Sequence, residues 1–164
     1  MKIYSVSIEK VFDEGGDLSY LGEFSNTPGE GAIDRAKVER YLERGEYRYF
    51  NPANYDIIFL LLENDPNRDK YALEAYKRMM EFIRGKVCLL GIYATCSIDY
   101  GGCYGEIRTP GLWGIESDSD PEYMIEIAKG ESKYLLKTLI EIGFKKREVS
   151  KLIEESLKEF RGDL

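Results

Sequence analysis

An α+β fold is expected for this chain of 164 residues. Residues 87–98 alternate without a break, so that Cys88, Leu90, Ile92, Ala94, Cys96 and Ile98 share one face of a strand. Asp99-Tyr100-Gly101-Gly102 then turns the chain back into Cys103–Ile107. The last third instead repeats its apolar residues at three- and four-residue spacing, the mark of helices with one buried stripe. Strand runs and helix runs do not alternate regularly, which argues against a doubly wound parallel sheet. The expected architecture is a small antiparallel sheet with a central hairpin, about 87–98 and 103–108. Helices cover one face, and a single domain spans 1–164.

Each element has its own signal. Residues 3–11 alternate, with Tyr4, Val6 and Ile8 on one face and Ser5, Ser7 and Glu9 on the other, a half-buried strand rather than a signal peptide. Leu18–Phe24 reads as a return strand after the turn cluster at residues 13–17. Residues 33–43 read as a short helix closed by Gly45, and Glu46-Tyr47-Arg48-Tyr49-Phe50 as an aromatic extended segment. Tyr55–Leu62 is an apolar run that reads as a buried extended segment. Asp65-Pro66 suits the start of a helix whose apolar positions run from Tyr71 to Ile83. Ser119-Asp120-Pro121-Glu122 fits a capping box with Ser119 as the cap. The helix that follows meets Gly130, which implies two helices or a kink, and Gly143-Phe144 fits a left-handed cap. A last helix runs through Val149, Leu152, Ile153, Leu157 and Phe160.

Composition removes several chemistries. The chain has no histidine, which excludes Ser-His and Cys-His dyads and His-ligated zinc. Its three cysteines form no Cys-x-x-Cys pair, and a reducing cytoplasm is the expected compartment. Cys96 and Cys103 sit across the short hairpin, expected close together and as two thiols. No apolar run reaches the ~18 residues of a membrane span. The net charge of −7 disfavours nonspecific nucleic-acid binding and suits a protein partner with a basic surface.

Glu116, Asp118 and Asp120 place three carboxylates in five residues. One reading is a divalent-cation site, since hard cations take oxygen ligands. An EF-hand register fails, because the twelfth position counted from Asp118 is Lys129. The plainer reading is a helix start, where acidic side chains meet the positive end of the dipole. Gly111 and Gly114 suggest a phosphate loop, but the acidic residues that follow would repel phosphate. Trp113, beside Gly114, is expected to plug the core beneath the helix start; exposed, it would be an interface anchor.

Several strings are familiar together: Asp17-Leu18-Ser19-Tyr20-Leu21-Gly22-Glu23-Phe24-Ser25, Gly31-Ala32-Ile33-Asp34-Arg35, and Glu46-Tyr47-Arg48-Tyr49-Phe50-Asn51-Pro52. With them go Gly111-Leu112-Trp113-Gly114-Ile115-Glu116-Ser117-Asp118-Ser119-Asp120 and the helix end at Gly143-Phe144. The set resembles an uncharacterised family of small proteins encoded by phages, prophages and other mobile elements of bacteria. The resemblance implies a genomic setting and assigns no catalytic residue, cofactor or metal.

The expected function is therefore a non-enzymatic accessory protein of a phage or mobile element. It binds a host or phage protein, with inhibition of a host defence system as its expected role. The alternative is a metal-dependent enzyme or nucleic-acid-processing accessory using the acidic 116–120 segment. Tyr47, Arg48, Tyr49, Trp113, Glu116 and Asp118 are the candidate partner-binding residues, because aromatic anchors ringed by polar groups make binding surfaces.

Overall fold

A computed structural model describes residues 2–43, 45–53 and 68–164. In chain order its elements are β1 (Lys2–Phe12), β2 (Gly22–Ser25), β3 (Ile33–Asp34), α1 (Arg35–Val38), β4 (Tyr49–Pro52) and α2 (Arg68–Ile83). After these come β5 (Leu89–Tyr100), β6 (Cys103–Arg108), β7 (Leu112–Glu116), α3 (Pro121–Glu141) and α4 (Lys146–Gly162). The fold is α+β, with small antiparallel sheets and a helical C-terminal third. It divides into two compact units, Met1–Gly16 with Cys88–Leu164, and Asp17–Val87. The apolar run Tyr55–Leu62 and the helix start at Asp65-Pro66 lie outside the described residues.

The first unit is built on β5. One edge of β5 pairs with β1 along its length; the other pairs with β6 over Thr95–Tyr100 and with β7 over Leu89–Ile92. Gly101 and Gly102 both take positive φ, as a two-residue hairpin loop matched to strand twist requires. Thr109 bridges the gap between β6 and β7. Its N–H donates to the Ala94 carbonyl, and its hydroxyl accepts from the Ala94 N–H. Flanked on both edges, β5 buries its inward residues Ile92, Ala94 and Cys96 almost completely.

Helices α3 and α4 cover that inward face. Leu135 and Leu139 of α3 and Val149 and Ile153 of α4 meet Ile3, Ala94, Cys96 and Ile98. Met124, Ala128 and Phe160 meet Leu90, Ile92 and Ile115. Full burial of an apolar side chain of this size contributes about 1.5–3 kcal/mol. The helices are joined as expected: Gly143 has a positive φ, and Phe144 donates its N–H to the Leu139 carbonyl and enters the core beside it.

Four expectations need correction in this unit. A register shift between Ile3 and Ser5 sends Ile3 into the core and leaves Tyr4 exposed, so Tyr4 does not share the Val6–Ile8 face. Asp120, not Ser119, caps α3, accepting from the Glu122 N–H with Pro121 in the first turn. Residues Pro121–Glu141 form one helix through Gly130, not two, because the stripe from Met124 to Leu139 is buried on both sides of that residue. Cys96 stands opposite Ile107 and Cys103 opposite Tyr100, so the two thiols are not cross-strand neighbours.

In the second unit β4 is flanked by β2 and β3, both antiparallel. Phe50 on β4 is fully buried, with the rings of Phe24 and Tyr76 at 5.4 and 5.6 Å. Helix α2 contributes Ala72, Tyr76 and Met79 to this core. The return strand expected at 18–24 starts only at Gly22 and pairs with β4. The helix expected over 33–43 shrinks to Arg35–Val38, since Ile33 and Asp34 join the sheet and Glu39 is already extended.

Candidate functional site

Alternation along β5 turns Gly91, Tyr93, Thr95, Ser97 and Asp99 away from the helices. Their partners on the same face are Ser5, Ser7 and Glu9 on β1 and Tyr104, Glu106 and Arg108 on β6. Trp113 on β7 joins them. Its ring lies against the backbone of Gly91, where an added Cβ would meet the indole at 2.2 Å. The indole N–H donates to the Pro110 carbonyl at 3.0 Å, which fixes the ring's rotation. Trp113 is nonetheless 41% exposed, so it is not the expected core plug.

Tyr93 stacks beside Trp113 with ring centroids 6.2 Å apart and planes 21° from parallel. The Arg108 guanidinium sits 3.5 Å from the Tyr93 ring centre and 5.5 Å from that of Trp113. Such contacts contribute about 0.5–1 kcal/mol each at exposed sites, and here they also hold a long side chain in one place. At the hairpin end Tyr4 stacks on Tyr104 at 5.4 Å, with the Lys2 ammonium 4.9 Å from the Tyr4 ring. Small hydroxylated residues, Ser5, Ser7, Thr95 and Ser97, occupy the middle of the face. The result is two fixed aromatic groups at the ends of a polar strip.

The acidic segment is explained by local structure. Glu116 ends β7 opposite Leu89, and Ser117 exchanges hydrogen bonds with the backbone of Cys88. Asp118 is exposed in the turn that leads to the Asp120 cap. Among the described residues no group of three or more acidic or cysteine side chains is placed to hold a metal ion. The Gly111 and Gly114 amides, candidates for phosphate, donate to the carboxylates of Glu131 and Asp13.

Tyr47, Arg48 and Tyr49 belong to the second unit. Tyr47 is 53% exposed and Tyr49 half-buried. Arg48 makes two hydrogen bonds to Asp34, at 3.2 and 2.9 Å, and lies over the Tyr49 ring at 5.3 Å. That pair holds the Asp34 carboxyl below its usual range. Beside it the Arg35 side chain is almost fully buried and donates to Glu39 at 2.6 Å, to the Tyr47 carbonyl at 2.7 Å and to Glu46 at 3.1 Å. Burial works against its charge, but the bonds to Glu39, Tyr76 and Glu46 outweigh it and hold its pKa above the ordinary value. Glu39 also accepts from the Tyr76 hydroxyl, and burial with this bond pushes Tyr76 up to about 12.

The six candidate residues thus fall into two groups, Tyr47, Arg48 and Tyr49 in one unit and Trp113, Glu116 and Asp118 in the other. Tyr93 and Arg108, which complete the Trp113 cluster, were not among them. Their signal was the alternation of β5 and β6 itself, which assigns them to the face opposite the core. Comparison with known protein families, characterised proteins and solved structures finds no match for this chain.

Proposed function

We propose that this chain is a non-enzymatic accessory protein of a phage or mobile element that acts by binding another protein through the outer face of its β1-β5-β6-β7 sheet. The observation that supports this most is the fixed Trp113–Tyr93–Arg108 cluster, in which Trp113 and Arg108 are exposed and Tyr93 half-buried. Trp, Tyr and Arg are the residues that concentrate binding energy in protein interfaces. Side chains already held in one rotamer lose little entropy on binding. The charges on the face favour a protein over a nucleic acid. Lys2 and Arg108 stand there against Glu9, Asp99 and Glu106, a balance that gives phosphates no net attraction. The resemblance to mobile-element proteins makes a host defence protein the partner to test first.

The test is affinity purification from the bacterial host with the wild-type chain, Trp113→Ala and Arg108→Ala. Recovery of a defence protein by the wild type and its loss in both variants, with their melting curves unchanged, supports the proposal. Equal recovery by all three chains removes this face from the account.

A further inference from the structure

The second unit contains a cleft of about 530 Å³ between the residues that follow α1 and one stripe of α2. We infer that this cleft binds a nucleotide. Its volume lies within the ~300–1,000 Å³ typical of small-molecule sites. Leu73, Lys77 and Met80 recur on α2 at four- and three-residue spacing and so share one face of the helix, and Arg84 follows just past its end.

Charge indicates an anion. Arg40, Lys77, Arg84 and Lys86 line the cleft against only two carboxylates, Glu39 and Glu81, in a chain of net charge −7. Both carboxylates are engaged. Glu39 accepts from Arg35 and Tyr76, and Glu81 pairs with Arg78 at 3.2 Å. Among the described residues Arg40, Lys77 and Lys86 have no carboxylate within salt-bridge distance. Several cations left over around one concavity are what a phosphate group requires, and Arg and Lys are its usual ligands.

The remaining lining asks for more than phosphate. Val38, Leu73 and Met80 form apolar wall, and Tyr41 offers a ring that is 77% exposed. A planar base fits such a surface by stacking, which tolerates any base because each has a π-face. Glu39 lines the cleft, and among the described residues its Oε2 is met by Arg84 at 4.0 Å, which leaves that oxygen room to accept from an N–H or O–H of base or ribose. The Arg35 and Tyr76 bonds to Oε1 hold the carboxylate in that position.

The experiment is calorimetric titration of the full chain with AMP, GMP, ATP and GTP, with adenosine and inorganic phosphate as separate arms. The expected result is binding of at least one nucleotide that weakens steeply with added salt, and that adenosine or phosphate alone does not match. Lys77→Ala with Lys86→Ala, checked for an unchanged circular dichroism spectrum, should weaken it by about tenfold or more. The salt dependence of the wild type stands as the readout if that double variant does not fold. Absence of binding by all four nucleotides at roughly millimolar concentration overturns the inference, as does affinity indifferent to salt. Inorganic phosphate binding as tightly as any nucleotide overturns it equally.

Discussion

Trp113 lies flat on Gly91, and only a glycine there leaves room for the indole. The chain has one tryptophan, so its fluorescence reports on the surroundings of Trp113 alone. Gly91→Ala should push the ring off the sheet, shift the emission to the red and lower stability by about 1–3 kcal/mol. Unchanged emission in a folded Gly91→Ala variant would mean that Trp113 does not rest on the strand.

Arg35 is the buried charge of the second unit, and its three acceptors come from separate points of the chain, residues 39, 46 and 47. Arg35→Ala leaves Glu39 without its main partner and should cost on the order of 3 kcal/mol in denaturant unfolding. Arg35→Lys should not recover this, because a single ammonium cannot serve all three directions at once.

Phe50 and Tyr47 are three residues apart with opposite roles. Phe50→Ala should cost about 3–5 kcal/mol, since the ring is fully buried between Phe24 and Tyr76. Tyr47→Ala should change stability by no more than about 0.5 kcal/mol, because the ring is more than half exposed. Thermal melting of the two variants separates the outcomes.

Tyr76 gives an alkaline limit. Its pKa is raised from 10.0 to about 12 by burial and by the bond to Glu39, so the folded state favours the neutral phenol. The stability this contributes is complete below pH 10.0 and is lost as pH rises towards about 12. Ultraviolet titration should show a late ionisation near pH 12, and Tyr76→Phe should abolish that step. At the acid end the Asp34 carboxyl is held below 3.8, chiefly by Arg48, so its contribution is present above that pH and lost as pH falls further.

The first unit was legible because its signals are local. Unbroken alternation marked β5, the paired glycines marked the hairpin, and Gly143-Phe144 marked the helix junction. The misreadings come where distant residues decide. Arg35 looks like part of an amphipathic helix, yet Ile33 and Asp34 before it pair with β4 and Glu39 after it is extended, so the helix spans only Arg35–Val38. Tyr4 follows the apolar alternation in sequence, but the β1–β5 register moves it to the opposite face, where Tyr104 receives it. Trp113 was visible as a conspicuous residue, but its exposure depends on Gly91, twenty-two positions away, and no spacing rule connects the two.

Photo-crosslinking from position 106 on the outer sheet face, compared with position 137 on α3, tests the central claim most directly. Glu106 stands opposite Ser97 on the face with Tyr93 and Trp113, whereas Lys137 lies exposed on a helix that packs against the other face. With a photoreactive residue at each site in turn, expressed in the bacterial host, the account predicts one defined protein adduct from position 106. That adduct should be absent from position 137 and lost on Trp113→Ala. Adducts from 137 alone, or an adduct from 106 that survives Trp113→Ala unchanged, would contradict it.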